Sequence, residues 1–195
     1  MRIALTGGIG SGKSYVCRLL KECGIDVYDC DAAAKRLMCS SHRLQTELSK
    51  AVGCDLFESG KLNKAALSRF IVASDANAET VDSIVHPAVA DDFKHSGYEW
   101  LESAILFESR FDERVDFDFV VCVTAPLEVR IQRVMQRDSL TRERALEWIN
   151  RQMPQEEKVR RSDFEIVNDG DRDIMSQVRE LIDKGGLWNT PEVNK

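Results

Sequence analysis

Eight consecutive residues, Gly7-Gly8-Ile9-Gly10-Ser11-Gly12-Lys13-Ser14, include four glycines. Glycine loses the most conformational freedom on folding, so such a cluster implies a backbone that must approach something closely. Gly7, Gly12, Lys13 and Ser14 satisfy G-x-x-x-x-G-K-[ST], in which successive backbone amides cradle a di- or triphosphate. Lys13 would reach the β- and γ-phosphates, and the Ser14 hydroxyl would bind Mg²⁺. Gly8, Gly10, Ser11, Gly12 and Tyr15 complete the stretch that contacts the nucleotide. The chemistry this loop serves is transfer or hydrolysis of a phosphoryl group.

Other side chains can join it. Asp29 and Asp31 follow a short apolar run; an aspartate there can accept a proton from an attacking hydroxyl or hold Mg²⁺ through water, or simply cap a helix. The nearby phosphate loop favours Asp31. Glu102 and Glu108 bracket Ser103-Ala104-Ile105-Leu106-Phe107, and Glu108 can form a polar lip of the site or a solvated strand end. His86 precedes Pro87 in a helical region, where a lone histidine is ordinarily structural. Arg133 and Arg137 lie four apart, on one helix face, and could neutralise charge on a transferring phosphoryl group.

These residues require a scaffold of strands and helices. A strand is expected over 2–6, a helix from Ser14 to a stop at Gly24, and a second strand over 25–28. Ala32 to Met38 is helical by composition. From 42 to 95 the apolar spacing stays helical with no convincing strand, and Pro87 is expected to start or bend a helix. Strand character returns at 98–107 and 117–124, the second a buried parallel-type run. Leu127, Ile131, Val134 and Met135 form a helical stripe. A short strand at 164–167, a turn at Asn168-Asp169-Gly170, and a helix ending at Gly185-Gly186 close the pattern before a polar tail. Alternating strands and helices imply an α/β fold with a mostly parallel sheet and helices on both sides.

The chain has 195 residues and a formal charge of −6, which argues against a general nucleic-acid binder. Residues 128–161 nevertheless hold nine Lys/Arg against six Asp/Glu, a basic island suited to a small anionic ligand. No apolar run approaches membrane-spanning length, and no charged-then-apolar leader precedes the first strand. The six cysteines lack C-x-x-C spacing and are expected as free thiols in the cytoplasm.

With these motifs in order, the sequence resembles the dephospho-coenzyme A kinase family over nearly its whole length. LTGGIGSGKS is followed by DCD for the family's D-A-D, His86-Pro87 for its HP, and ILFE for its P-L-L-F-E. QRVMQRDSLTRERALEWINRQMPQEEK is similar to its lid, and SDFEIVNDG to its closing A-D-x-x-I-x-N-x-G. Tyr15, Ala104 and Ser162 depart from the family's usual Thr, Pro and Ala. The resemblance implies a P-loop NTPase-type three-layer fold with a nucleotide core at 1–31, 96–130 and 162–195. A helical acceptor domain at 32–95 and a lid at 131–161 would complete it. It implies ATP and Mg²⁺ as co-substrate and cofactor and dephospho-coenzyme A as acceptor; no nucleic-acid or membrane partner is expected, and the chain is expected as a monomer or a weak oligomer. Lys13, Asp31 and Arg137 would be catalytic, with Asp31 as base or hydroxyl-orienting group. His86 and Glu108 would face the acceptor, and Asn168 the adenine.

Another small-molecule kinase of the same architecture is the nearest alternative. A nucleotide-dependent switch protein is the other, although no N-K-x-D guanine-reading stretch is present.

Overall fold

In the computed structural model, residues 1–58 and 61–184 are described. The expected Gly185-Gly186 stop and the tail lie outside them. Strands β1 (Ile3–Thr6), β2 (Val27–Asp29), β5 (Trp100–Glu102), β6 (Phe119–Thr124) and β7 (Phe164–Val167) form one sheet in the order β2-β5-β1-β6-β7. Every pairing in that sheet is parallel, as in the expected α/β architecture. β1 lies at its centre, and all four of its residues are buried.

Side chains alternate between the two faces of the sheet. Ile3, Leu5, Val121, Val123 and Ile166 pack against α1 (Lys13–Glu22) and α10 (Ile174–Lys184). Ala4, Tyr28 and Leu101 face the other way, onto α2 (Cys30–Ser40), α3 (His42–Val52), α4 (Lys64–Ala73) and α5 (Asp75–His95). Helices on both faces explain why β1 and β6, at the middle of the sheet, are apolar up to their terminal threonines.

Three expectations change. The 42–95 block contains a two-stranded antiparallel hairpin, β3 (Phe57–Glu58) and β4 (Lys61–Leu62), whose strands are too short for a periodic signal. Pro87 lies inside α5, which continues through it: proline removes one i to i−4 bond but neither starts nor ends this long helix. The strand expected over 98–107 stops at Glu102. Ile105, Leu106 and Phe107 instead lie in tight turns, with Ser109 N–H donating to Ile105 O and Phe111 N–H to Leu106 O, before the short α6 (Phe111–Arg114). A short apolar run does not by itself distinguish a strand from a buried turn.

The basic island folds as α7 (Leu127–Asp138), α8 (Arg142–Asn150) and α9 (Gln155–Arg160). Ile131, Val134, Ala145 and Ile149 form a separate small core in which α7 meets α8.

A polar tie joins the sheet edge to the longest helix. Tyr28 Oη and Arg36 Nη2 both donate to Asp92 Oδ2, each at 2.6 Å. Burial pushes the Asp92 carboxyl up, but the Arg36 and Tyr28 hydrogen bonds outweigh it and hold the group below its ordinary value. A depressed carboxylate contributes stability above its unfolded pKa and loses it as pH falls through the folded one. Asp92→Asn should therefore lower unfolding free energy by about 1–2 kcal/mol at neutral pH, mostly through Tyr28, because Arg36 is half exposed and solvent screens it. In urea melts, the gap to the wild type should close below about pH 4.

Candidate active site

The phosphate loop joins β1 to α1, at the carboxyl ends of the parallel strands where ligands bind in such sheets. Gly12 occupies the N-cap of α1 with φ 101°, a left-handed conformation suited to glycine. A Cβ there would also overlap Asn168 Nδ2. Gly10 is left-handed as well, with φ 79°, and packing adds a further reason there and the reason at Gly8: a Cβ at Gly8 would meet the Arg130 guanidinium, and one at Gly10 the Arg130 carbonyl at 2.7 Å. Helix α7 thus packs directly on the loop.

The carbonyls of the loop are held from outside. Arg130 Nε donates to Ile9 O at 3.0 Å. Arg133 Nη1 donates to Gly10 O and Ser11 O at 3.3 and 3.2 Å, and its Nη2 to Asn168 Oδ1 at 3.1 Å. Asn168, at the end of β7, donates from Nδ2 to Ser11 O at 2.9 Å. With its carbonyls engaged, the loop can turn successive amides inward, an anion-binding nest at a helix N-terminus. Ser11 is fully buried, and its hydroxyl has no hydrogen-bond partner.

In front of the loop lies a cavity of about 690 Å³ whose walls include Lys13, Ser14, Asp31, Glu102 and Arg137. Lys13 Nζ is 3.6 Å from Glu102 Oε1. Burial lowers the lysine pKa against the pull of Glu102, and burial raises that of Glu102 against the pull of Lys13. Desolvation dominates both groups, so an incoming phosphate would find an ammonium with only one loosely placed counter-ion.

The two aspartates divide their work. Asp29 is the N-cap of α2 and accepts from Ala32 N–H at 2.9 Å. Asp31, in the first turn of α2, is exposed on the cavity wall, and among the described residues its carboxylate has no hydrogen-bond or ion-pair partner. It also borders a second, mainly apolar recess of about 200 Å³ shared with Ile105 and His86. His86 Nε2 is 3.5 Å from Asp82 Oδ1; burial and, more weakly, Arg114 lower its pKa, while Asp82 opposes them.

Other expected site residues lie elsewhere. Glu108, expected as a polar lip, is not on the wall of that cavity: its Oε1 accepts from Lys158 Nζ at 2.6 Å and from Met153 N–H at 2.9 Å. Lys158 is fully buried and must have such a counter-ion; its ammonium also donates to Ala104 O at 2.7 Å. Asn168 directs its amide to the phosphate loop, not to a base site. Tyr15 is exposed with Arg18 over its ring, 5.1 Å from the centroid, outside the cavity wall. Gly8 likewise lies outside that wall, backed by Arg130. Arg137 reaches the cavity, but Nε and Nη2 both donate to Asp138. Most of the basic island is neutralised locally: Arg142 by Glu128, Arg144 and Arg151 by Glu147, and Arg161 by Asp112. Sequence reasoning assigned no role to Arg130, Lys158 or Glu102. Arg133 had only its spacing from Arg137 to mark it.

Known proteins resemble this chain in sequence and in fold. A family model described as dephospho-CoA kinase matches residues 1–173. The chain is 41% identical over 189 residues to the dephospho-CoA kinase of Bacteroides fragilis, covering 93% of this chain and 91% of that protein. A crystal structure from Thermus thermophilus superposes with TM-score 0.81 at 31% identity, covering 95% of this chain and 97% of that one. The dephospho-CoA kinase from Campylobacter jejuni shares the fold, with TM-score 0.66 at 22% identity and coverage of 97% and 98%.

Gly12→Ala tests the loop geometry. A left-handed conformation costs a non-glycine residue about 1–2 kcal/mol before the overlap with Asn168 is counted. ADP affinity measured by calorimetry should fall about tenfold or more. Adding Asn168→Ala should recover only part of it, because it removes the overlap but not the backbone strain.

Proposed function

The chain belongs to the dephospho-CoA kinase family, and from that premise we propose that it transfers the γ-phosphoryl group of ATP to the ribose 3′-hydroxyl of dephospho-CoA. The products are coenzyme A and ADP, and the reaction is the last step of coenzyme A biosynthesis. The observation that carries this reading is the meeting of Lys13 and the unpartnered Asp31 carboxylate across one cavity.

Phosphoryl transfer depends mainly on positioning and charge. The loop amides hold the phosphates, and Lys13 offsets charge on the transferring group. Asp31 orients the acceptor hydroxyl and takes its proton. Ser14, Asp29, Asp31 and Glu102 offer hard oxygen donors on the cavity wall, a set that suits Mg²⁺. Among the described residues no group of three or more His, Cys, Asp or Glu side chains is placed to hold a metal ion, so waters and phosphate oxygens would have to supply its remaining ligands. Bound there with Ser14 as its protein ligand, Mg²⁺ would neutralise phosphate charge.

Residues 131–161 serve in this reading as a lid over the nucleotide, and residues 32–95 as the acceptor domain, with His86 beside the recess that borders Asp31. Arg137 would leave Asp138 for the phosphates when the nucleotide binds. The six free cysteines support a reducing compartment, the cytoplasm, and the chain is read as a monomer. Among the described residues no helix is long and apolar enough to cross a membrane.

Incubation with ATP, Mg²⁺ and dephospho-CoA should add one phosphate to the acceptor by mass analysis; nucleotide binding with no such product would overturn the reading. Lys13→Ala should abolish turnover in a folded protein. Asp31→Asn should lower kcat by about 10² to 10⁴ with ATP affinity little changed, as for loss of a general base. Asp29→Asn should cost far less, and the reverse order would move the base to Asp29. Arg137→Lys keeps the charge but loses the planar fork, so kcat should fall more than KM for dephospho-CoA rises. Arg144→Lys, on a locally paired surface arginine, should be close to silent.

A further inference from the structure

Gln152, just beyond α8, touches the phosphate loop and has no role in the mechanism above. Its Oε1 accepts from Ile9 N–H at 2.7 Å. A backbone N–H can only donate, so this bond decides how the amide is turned: oxygen toward the loop, nitrogen away from it. Gln152 lines the same cavity as Lys13, Ser14 and Arg137. Among the described residues its Nε2 has no hydrogen-bond partner, and it is not one of the buried unsatisfied atoms, so it remains open to solvent. Gln152 therefore engages one loop amide and leaves two oriented N–H donors beside the cavity. These donors are neutral, and the Ile9 bond holds them in place before any ligand arrives.

We infer that Gln152 is a further catalytic residue, whose Nε2 donates to an oxygen of the transferring phosphoryl group. This rests on the phosphoryl-transfer reading above. A donor positioned in advance stabilises charge as it develops in the transition state, without reorganisation at that moment. Because Gln152 follows α8 while Ile9 belongs to the loop, the same contact links the 131–161 segment to the phosphate site.

Gln152→Glu and Gln152→Ala, made in the full chain, separate this role from a structural tie. A glutamate keeps the acceptor for Ile9 N–H but loses both donors; an alanine loses everything. Both should lower kcat by about 10- to 100-fold, somewhat less than removal of a typical oxyanion donor. In calorimetric titrations, Gln152→Glu should weaken ATP by about tenfold while ADP changes by less than about threefold, because only ATP carries the transferring group. Wild-type kcat and ATP affinity in Gln152→Glu would reduce the residue to a tie on Ile9. Wild-type kinetics in Gln152→Ala would remove it altogether, and equal weakening of ATP and ADP would move its contact away from the transferring phosphate. Should Gln152→Glu fail to fold, Gln152→Ala carries the same ATP-against-ADP comparison. The unmodified enzyme, assayed alongside, tests the parent reading: no phosphorylation of dephospho-CoA there defeats that reading, while the ATP-to-ADP ratio in the variants still decides Gln152.

Discussion

A phosphate loop works only if its amides point inward, and that requires its carbonyls to be held elsewhere. In this protein Arg130 takes the carbonyl of Ile9, Arg133 those of Gly10 and Ser11, and Asn168 shares Ser11. Two of these side chains come from one helix, α7, and the third from the end of β7. The segment after β6 braces the loop directly, and its close packing accounts for Gly8 and adds to the left-handed conformation at Gly10.

Charge follows the same economy of position. The cavity wall carries Lys13, Glu102 and Asp31, with Lys13 and Glu102 both shifted by burial more than by each other. A triphosphate placed there would relieve the buried ammonium with its own negative charge. Away from the cavity, the buried Lys158–Glu108 pair anchors α9 to the segment after β5 and holds the Ala104 carbonyl. That segment supplies Ala104 and Ile105 to the cavity wall, so the pair supports the site without entering it. Breaking such a buried pair on one side leaves an uncompensated charge, which is why both partners matter together.

Much of this was legible in the sequence. The glycine-rich loop, its lysine and serine, the apolar parallel strands and the helices around them all follow from local rules: spacing, period and backbone conformation. So did the position of Asp31 on the same rim, whereas the capping of α2 by Asp29 came from the structure. The hairpin at 57–62 and the end of β5 at Glu102 escaped, because runs of two to six residues carry too little periodicity to be read alone.

What the sequence determined by itself was the chemistry and its carrier: a strand, a phosphate-cradling turn and a helix, where residues adjacent in the chain act together. What only the tertiary structure decided was which distant charges serve that turn. Counting positive residues over 128–161 suggested a general cationic cover, but folding pairs most of them with acids and sends Arg130 and Arg133 to the loop carbonyls. It likewise gave Glu108 a partner the sequence did not show, the buried Lys158. Net charge is a sum over residues, whereas a site depends on distances between residues far apart in the chain, and those are set only when the elements pack.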